Sequence, residues 1–534
     1  MASISRAAHG LSRRRFIQGC LGAAVGLPAL ATPRPGRAAV PPPPGARSLR
    51  RPNLIVLVTD DQRWDSMSCA GNAILQTPNI DALAAGGVRF TNSFATTAIC
   101  MSSRASIFTG LYARCHGVLA GMQSLTPRVL ADSYPMLLRK AGYRTGFVGK
   151  WGLGGALPIS RFDYFAGFSG QGNYFERGGT KHLTTLQADQ AVEFLRGCRA
   201  DQPFCLSVSF KAPHVEDDGR NQPGIYAKYP YDRALEPLYQ NANVPPPATV
   251  DAAPWPEFFD STMNRTREGM DFHPEHYQET MRSLYRLLAG VDIAVGRIMA
   301  ALRDLGADDN TVVMFTSDHG SFYGEHNFGG KWLMNEESIR SPMIVRDPRL
   351  GAELRGITCD EMVLNIDLCP TLLALAGIPV PLGIQGRSLL PLIQGDRRSP
   401  WRTEWFYEHH YLPTMIAPSE GIRTDRWKYV RYTDAQPPYE QLFDLRADPR
   451  EQNNLATQPD HFATLQALRQ RWQVWRVALE TAPPAGPWVE PDASLAVTSM
   501  LAPRRAPGYV SLAAKDFPLP MYSGGGLGWG SNID

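Results

Sequence analysis

The stretch Leu54-Ile-Val-Leu-Val58, which runs directly into Thr59-Asp60-Asp61, decides the fold class of this 534-residue chain. An unbroken apolar run is typical of a strand that is buried on both faces of a parallel sheet. Similar strands are predicted at 146–148, 204–210 and 312–315, with helical patterns at 77–85, 184–196 and 276–305. Because strands alternate with helices, we predict an α/β fold with a large, mostly parallel sheet sandwiched by helices.

The character of the sequence changes beyond about residue 395. Short strands are predicted at 405–407, 421–423 and 427–432, and a helix at 461–479. We therefore predict a main domain over 52–394 and a smaller C-terminal α+β domain over 395–480 with a short antiparallel sheet. A Pro/Gly-rich extended tail follows over 481–534, and residues 216–275 form an insertion near the active face.

The first fifty residues have the features of an export signal. Ser12-Arg13-Arg14-Arg15-Phe16-Ile17 is a twin-arginine pattern, and a weakly apolar run rich in Gly and Ala follows it over 16–30. We predict a signal over 1–38 that is recognised by the twin-arginine translocase, and a Pro-rich linker over 39–51. The mature protein is therefore expected in the periplasm or outside the cell.

Composition and charge exclude several classes of protein. With 43% hydrophobic and 20% charged residues, the chain is not mainly disordered, collagen-like or coiled-coil. Residues 1–50 hold eight Arg and no acidic residue, so the remainder carries a net charge of −5 and gives no reason to expect a nucleic acid partner. After residue 50 no run approaches the roughly 18–20 apolar residues of a membrane helix, so no stable membrane anchor is expected.

The eight cysteines have neither the spacing of a zinc site nor the density of a disulfide scaffold. Two pairs, Cys198 with Cys205 and Cys359 with Cys369, are close enough in sequence for local bridges in an oxidising compartment. Buried free thiols are an equally good interpretation, and the sequence leaves both open.

Acidic side chains follow two of the predicted strands. Asp60 and Asp61 come after the first strand, and Asp318 and His319 come after the strand at 312–315. Ligands of open parallel sheets bind beyond the carboxyl ends of the strands, so neighbouring strands would bring these groups together. Three carboxylates at one edge need a cation, and oxygen-rich ligation favours Ca²⁺ or Mg²⁺.

Cys100 and several basic residues are the other candidates for chemistry. Cys100 begins a loop that enters a helix, where the helix N-terminus and Arg104 would stabilise a thiolate; the alternative is a buried structural thiol. Further candidates follow strand ends or lie just past Asp318: Lys150, Lys211, His214 and Lys331. Basic groups around a cluster of metal and carboxylates suit an anionic substrate.

The ordered motifs resemble those of the formylglycine-dependent (type I) sulfatases, which have the alkaline-phosphatase-like fold. The resemblance spans 52 to about 456 and rests on these segments: Asp60-Asp61, Cys100-Met-Ser-Ser-Arg104, Gly149-Lys150-Trp151, Lys211-Ala-Pro-His214, Asp318-His319-Gly320, Lys331 with Glu336-Glu337-Ser-Ile-Arg340, Gly421-Ile-Arg-Thr-Asp-Arg-Trp-Lys-Tyr429 and Leu442-Phe-Asp-Leu-Arg-Ala-Asp-Pro449.

The resemblance implies a role for each candidate. Cys100 would be oxidised to formylglycine (3-oxoalanine) by a formylglycine-generating enzyme, and its hydrate would attack sulfur. A Ca²⁺ ion, or Mg²⁺, would be held by Asp60, Asp61, Cys100, Asp318 and His319. Arg104 would hold the diol, and Lys150 and Lys331 would neutralise the sulfate, with Lys211 and His214 also contacting the substrate. His214 or Lys331 would protonate the leaving alcohol.

Three positions differ from the usual family pattern: Ser102 stands in place of Pro, Gly152 in place of His, and Asn335 in place of Tyr. Residues 162–175 resemble sulfatases that act on sulfated sugars, such as N-acetylglucosamine 6-sulfate. Aromatic residues within 225–260 either stack on sugar rings or pack the insertion on the core. Two alternatives to sulfate ester hydrolysis stay open, a phosphodiester or phosphonate hydrolase of the same fold and a non-catalytic binder of sulfated glycans.

Overall fold

The computed structural model describes residues 51–119, 123–176, 178–216, 229–250, 272–411, 413, 416–482 and 487–491. The predicted export signal and nearly all of the linker and tail lie outside these residues. So do parts of the insertion. Among the described residues, no helix combines the length and the apolarity needed to cross a bilayer.

Fourteen strands are assigned within the described residues. They are β1 (Asn53–Thr59), β2 (Gly87–Phe94), β3 (Arg144–Lys150), β4 (Tyr164–Phe168), β5 (Phe204–Ser209), β6 (Thr311–Ser317), β7 (Phe322–Tyr323), β8 (Gly329–Gly330), β9 (Met343–Arg346), β10 (Ile357–Leu364), β11 (Glu404–His409), β12 (Ser419–Thr424), β13 (Trp427–Tyr432) and β14 (Tyr439–Asp444).

The helices surround these strands. They are α1 (Pro78–Ala85), α2 (Cys100–Thr109), α3 (Ala113–His116), α4 (Pro127–Ala131), α5 (Tyr134–Lys140), α6 (Leu183–Arg196), α7 (Tyr277–Asp304), α8 (Glu336–Ile339), α9 (Leu368–Leu375), α10 (Leu390–Ile393) and α11 (Phe462–Glu480). Most of the helices predicted from sequence periodicity are confirmed to within a residue or two.

The large sheet has eight strands in the order β10-β2-β9-β6-β1-β5-β3-β4, and only β9 runs antiparallel to its neighbours. The side chains of β1 alternate between two hydrophobic clusters. Ile55 and Leu57 pack with residues of α1, α6 and α7 on one face, whereas Leu54 and Val56 pack with residues of α2, α5 and α9 on the other. The predicted α/β sandwich is therefore confirmed.

The C-terminal region carries the predicted short antiparallel sheet, with the order β11-β12-β13-β14. Helix α11 packs on it through Leu465, Leu468, Trp472 and Trp475, and these residues share a hydrophobic cluster with Phe94 at the end of β2. The C-terminal sheet is thus packed directly against the main domain.

A buried charge cluster also joins the two sheets. The Lys428 ammonium group on β13 lies 2.9 Å from Glu336 of α8 and 2.7 Å from Glu451, and the Arg423 guanidinium on β12 lies 3.0 Å from Glu336. The Glu336 amide donates to the Glu451 carboxylate at 2.8 Å. We call these residues, together with neighbouring Glu337, the Glu336 cluster.

The described part of the insertion packs against α7. Arg286 donates to the carbonyl groups of Glu236 and Leu238, and the Tyr239 ring meets Tyr285 edge to face at 5.8 Å. Tyr229 belongs to the main hydrophobic core. For these rings the packing interpretation is confirmed, while Trp255, Phe258 and Phe259 lie outside the described residues.

Every described cysteine is a free thiol. Neither Cys198 with Cys205 nor Cys359 with Cys369 forms a bridge, which decides the open question in favour of free thiols. Cys205, Cys359 and Cys369 are buried in the core, as small apolar side chains are.

Candidate active site

Strands β1 and β6 bring the acidic residues together. They are parallel neighbours in register, with Thr59 opposite Ser317, and the Asp318 amide donates to the Thr59 carbonyl at 3.1 Å. Asp60 and Asp318 therefore leave the sheet side by side, as the sequence predicts for adjacent strands. Both are completely buried.

Asp61 turns sharply into the same site. Its φ of +67° lies in the left-handed region, which is uncommon for a residue with a side chain. Its amide donates to Asp318 Oδ1 at 3.2 Å, and the Tyr323 hydroxyl donates to its carbonyl at 3.3 Å. These contacts hold the carboxylate of Asp61 beside those of Asp60 and Asp318.

Three basic side chains face these carboxylates. Lys150 donates to Asp60, Lys331 lies 2.6 Å from Asp61, and Arg104 lies 3.0 Å from Asp318 and 3.2 Å from Asp60. Burial opposes ionisation of Asp60, but Lys150 leads the positive charges that hold its pKa well below the usual range. Burial raises the pKa of Asp61 against the opposing effect of Lys331. The site therefore concentrates paired charge out of contact with water.

Cys100 is the first residue of α2 and lies among these charges. Its Sγ is 3.4 Å from Asp60 Oδ1 and 3.2 Å from Lys331 Nζ. Burial, followed by the negative charge of Asp60, raises the pKa of the thiol to about 12. The expectation of a stabilised thiolate is therefore wrong for the unmodified residue, because burial outweighs the helix N-terminus and the nearby cations.

The side chain of Arg104 is held in place by hydrogen bonds to several neighbouring residues of the site. Its Nε donates to Asp318 at 3.1 Å, and one terminal nitrogen donates to the Lys150 carbonyl at 3.3 Å and to Ser209. Gly152 makes room for it, since a Cβ at that position would lie 2.3 Å from Arg104 Cδ. This close approach, together with a φ of +72°, explains why a glycine stands there.

The residues present fit a divalent cation. His319 is completely buried and its Nε2 has no hydrogen-bond partner, which is an expensive arrangement unless another group occupies that nitrogen. Single ligand atoms of Asp60, Cys100, Asp318 and His319 all lie within 4.8 Å of one another, and the same holds for Asp60, Asp61, Cys100 and His214. Each set holds two carboxylates, whose oxygens are the ligands that a hard cation prefers.

His214 and Lys211 approach from the loop after β5. His214 Nε2 lies 3.7 Å from Asp61, and its Nδ1 lies 2.7 Å from the Val215 carbonyl. Burial, reinforced by Lys331, holds the pKa of His214 well below its usual range, so the ring is neutral. Lys211 is fully buried and donates to the Val215 carbonyl at 3.2 Å, where it supports the loop of His214. Its positive charge adds to the effects of burial and Lys331 that lower the pKa of His214, and contact of Lys211 with the substrate stays a prediction.

Sequence reasoning did not assign several supporting residues. Gln171 accepts a hydrogen bond from Lys150, and Ser103 donates to the Asp318 carbonyl while it accepts from Asn365 at 2.9 Å. The neighbouring Ser102 donates to the Val118 carbonyl at 2.7 Å. Ser102 and Ser103 lie close to Cys100 in the sequence, whereas Gln171 lies 21 residues after Lys150. The hydrogen-bond partners of all three come from distant segments, so no local signal identifies these residues.

Trp332 is a further residue that sequence reasoning missed. It follows Lys331 directly and has a φ of +80°, which is a strained value for a bulky side chain. Its ring packs with Ile99 and Ile416, and its carbonyl accepts a 2.5 Å hydrogen bond from Tyr407 of β11. The C-terminal sheet therefore braces the segment that carries Lys331.

Comparison with protein families gives two matches. A model described as Sulfatase matches residues 52–378, and a model described as N-sulphoglucosamine sulphohydrolase, C-terminal, matches residues 324–477. Together they span the large sheet and the C-terminal sheet.

Similar proteins agree with these matches. An N-acetylglucosamine-6-O-sulfatase of Bacteroides thetaiotaomicron is 30% identical over 477 residues, which cover 77% of this chain and 84% of that protein. A solved structure of a complex with its substrate D-glucosamine-2-N,6-O-disulfate is 27% identical, has a TM-score of 0.71, and covers 82% of this chain and 99% of that one. A phosphonate monoester hydrolase of Agrobacterium radiobacter shares the fold at 23% identity, with a TM-score of 0.66 and coverage of 80% and 96%.

Proposed function

Because the chain belongs to the sulfatase family and is a sulfuric ester hydrolase, we propose that it removes sulfate from a sulfated sugar, with Cys100 in the formylglycine form and a divalent cation in the acidic cluster. The observation that carries this proposal is the convergence of Cys100, three carboxylates, His319 and two lysines at one sheet edge. All of these groups except the partly exposed Asp61 are buried, so their interactions are strong and little screened by water.

Two groups that are not standard amino acids, a divalent cation and formylglycine, would supply part of the chemistry. When bound by Asp60, Asp61, Asp318 and His319, the cation would supply Lewis-acid charge that offsets the carboxylates and polarises an oxygen. In the formylglycine form, residue 100 would supply a hydrated aldehyde, whose hydroxyl is a nucleophile in place of a protonated thiol.

The chain's own residues bind and orient the sulfate. Lys331 contacts Cys100 and Asp61, and Lys150 contacts Asp60, so their ammonium groups flank the position of the nucleophile. Both are placed to neutralise the negative charge that develops on the sulfate oxygens. Arg104 holds Asp60 and Asp318 in register with α2, which keeps residue 100 aimed at the same point.

His214 is our candidate for the proton donor to the leaving alcohol. Its Nδ1 faces the Val215 carbonyl, so Nε2 carries the lone pair and faces the site. A bound sulfate ester brings negative charge close to the ring, which raises the pKa of the imidazole. The protonated ring then donates from Nε2 to the departing oxygen.

The proposal of a sulfated amino sugar rests on the relatives. The Bacteroides protein is named for action on N-acetylglucosamine 6-sulfate, and the substrate in the similar structure is a disulfated glucosamine.

Export by the twin-arginine route, to the periplasm or beyond, is proposed from residues 12–17 alone. Replacing Arg13 and Arg14 by Lys is expected to retain the protein in the cytoplasm, as cell fractionation would show.

The experiment combines the mass of one tryptic peptide with a comparison of hydrolysis rates for several substrates. The tryptic peptide of residues 90–104, from a host with the modifying enzyme, is expected to show the aldehyde mass at Cys100. The same protein should hydrolyse 4-nitrophenyl sulfate and N-acetylglucosamine 6-sulfate faster than 4-nitrophenyl phosphate or a phosphonate ester, and Cys100→Ala should lose this activity. Faster phosphonate turnover would favour the phosphonate hydrolase. Glycan binding with no turnover, unaffected by Cys100→Ala, would favour the non-catalytic binder.

A further inference from the structure

A second pocket lies beside the active site, outside the residues that hold the sulfate. Its volume is about 300 Å³, at the lower end of the range for small-molecule sites. Four described segments line it: the chain after β1, the stretch around Val244, the first turns of α7, and the loop after β7. None of the groups assigned to the chemistry is among its lining residues.

The charges in this pocket argue against a sulfate ligand. Arg63 is the only cation of the described lining, and its guanidinium is occupied by Asp65 at 2.9 Å and by Glu325. Two carboxylates against one guanidinium leave the pocket net negative. An anionic group entering it would be repelled, so the ligand is not the sulfated part of a substrate.

The remaining groups of the pocket offer hydrogen bonds and apolar surface. The Tyr285 hydroxyl accepts from Asn72 at 3.2 Å and keeps its own proton to donate, whereas the Tyr277 hydroxyl donates to the Pro245 carbonyl at 3.2 Å and keeps a lone pair. The Asp65 side chain is 37% exposed and retains lone pairs that Arg63 does not use. Donors and acceptors beside the apolar side chains of Ile74, Val244 and Met281 suit a ligand with apolar C–H faces and many hydroxyl groups.

Tyr323 connects this pocket to the active site. It lines the pocket, its hydroxyl donates to the Asp61 carbonyl, and the Arg63 guanidinium stacks on its ring with 4.7 Å to the centroid. A ligand in the pocket thus contacts a residue that holds the strained backbone of Asp61. The hydrogen bond from Tyr323 to Asp61 therefore links the pocket directly to the active site.

We propose that this pocket binds a neutral, unsulfated sugar unit and is a saccharide site separate from the catalytic centre. The existence of the pocket follows from the positions of its lining residues and does not depend on the proposed function. Its assignment to the unsulfated portion of a sulfated glycan rests on the proposed function. Occupancy is expected to retain a long glycan near the enzyme and so to lower KM for oligosaccharides, with little effect on kcat.

The test uses the full-length protein and two neutral probes, N-acetylglucosamine and lactose. Saturation-transfer NMR and calorimetric titration are expected to detect binding at millimolar concentration. Tyr285→Phe and Tyr277→Phe, which keep the rings, should weaken binding of at least one probe about 5-fold or more. Tyr164→Phe is the matched control, since its hydroxyl bonds only Glu193 on the surface among the described contacts and is not part of this pocket.

Turnover of 4-nitrophenyl sulfate separates this proposal from the proposed function. The pocket variants should hydrolyse that small ester at the wild-type rate, while KM for a sulfated oligosaccharide rises. Saccharide binding without any sulfatase activity would support the pocket and contradict the proposed function. Absence of binding of either probe at 20 mM, or binding that both pocket variants retain in full, would overturn the pocket. Preferential binding of glucosamine, an amine, over N-acetylglucosamine would show a cation site instead.

Discussion

Two clusters of buried charge, the active site and the Glu336 cluster, differ in the chemical groups that they bring together. In the Glu336 cluster, Arg423 and Lys428 approach the carboxylate of Glu336 and hold its pKa below the usual range despite burial. In the active site the carboxylates are also paired, but they lie beside the Cys100 thiol and beside the buried Nε2 of His319, which has no hydrogen-bond partner. Buried polar atoms without a hydrogen-bond partner occur in both clusters, since Lys428 Nζ and Glu337 Oε2 are also of this kind. A thiol and an imidazole nitrogen among the carboxylates are what distinguish the active site.

The two clusters are also expected to differ in whether a substitution affects turnover or folding. A buried ion pair is weak evidence for net stabilisation, but the loss of one partner is strongly destabilising. Substitutions in the active site should therefore act on turnover, and substitutions in the Glu336 cluster should act on folding. Four substitutions test this division, two through turnover and two through unfolding.

The largest effect is expected from Asp318→Asn. This change removes a candidate cation ligand and the partner of Arg104, so turnover of 4-nitrophenyl sulfate should fall at least about 1,000-fold. Asp308→Asn is the control, since Asp308 forms a 2.9 Å ion pair with Arg346 away from the site. Near-normal turnover by Asp318→Asn, with no requirement for a divalent cation, would contradict the assignment of the site.

Glu336→Gln should act on folding instead. The change leaves Arg423 and Lys428 buried with less compensating charge, and we expect the free energy of unfolding to drop by about 3 kcal/mol. Denaturant unfolding measures the loss, and kcat at low temperature should stay within about 2-fold of wild type. A large fall in kcat with unchanged stability would show that the two clusters are not distinct in role.

Gly152→Ala should have an intermediate effect on turnover. The added Cβ would lie 2.3 Å from Arg104 Cδ, so Arg104 must shift away from Asp60 and Asp318. We expect kcat to fall about 10- to 100-fold, because displacing a positioning group by about 1 Å costs about that much. Gly155→Ala is the control, since Gly155 also has positive φ but meets only Ser124. Equal losses in both variants would point to backbone strain instead of Arg104.

The last substitution changes only the pH dependence of stability. Burial, together with Glu325 and Glu451 and against Arg63, raises the pKa of Glu337 to about 8. The folded protein therefore binds a proton that the unfolded chain releases above about pH 4.5. Stability falls between about pH 4.5 and 8, by at most about 1.4 kcal/mol per pH unit. Glu337→Gln, which mimics the protonated acid, should remove this slope in unfolding curves recorded at pH 5.5 and 7.5.

Much of the fold follows from local patterns in the sequence. Strands β1, β5 and β6 are mainly apolar runs, and α6, α7 and α11 show helical spacing, so these elements are predicted close to their observed bounds. Strand β3 has only a short apolar centre, and the prediction covers three of its seven residues. Strands β2 and β10 were missed because they are partly exposed and polar, and β9 has only four residues. Nothing local marks β9 as antiparallel, since its direction is set by its neighbours.

The site was predicted because its residues follow strand ends, which topology brings to one edge. Asp60, Asp318 and His319 could be placed together on that argument alone. The neutral state of His214 and the protonated thiol of Cys100 could not, because both depend on burial by distant segments. The role of Gly152 could not be predicted either, because it depends on the packing of Arg104 against that position.

The Glu336 cluster bears on how this chain can be cut or recombined. Glu336 belongs to the main domain and Lys428 to the C-terminal sheet, so a gene truncated near residue 394 would encode a main domain with an unmatched buried acid. Exchange of the C-terminal sheet with that of a relative would succeed only if the incoming sheet carried cations at both corresponding positions. The two sheets are therefore coupled through this cluster, and changes on one side constrain changes on the other.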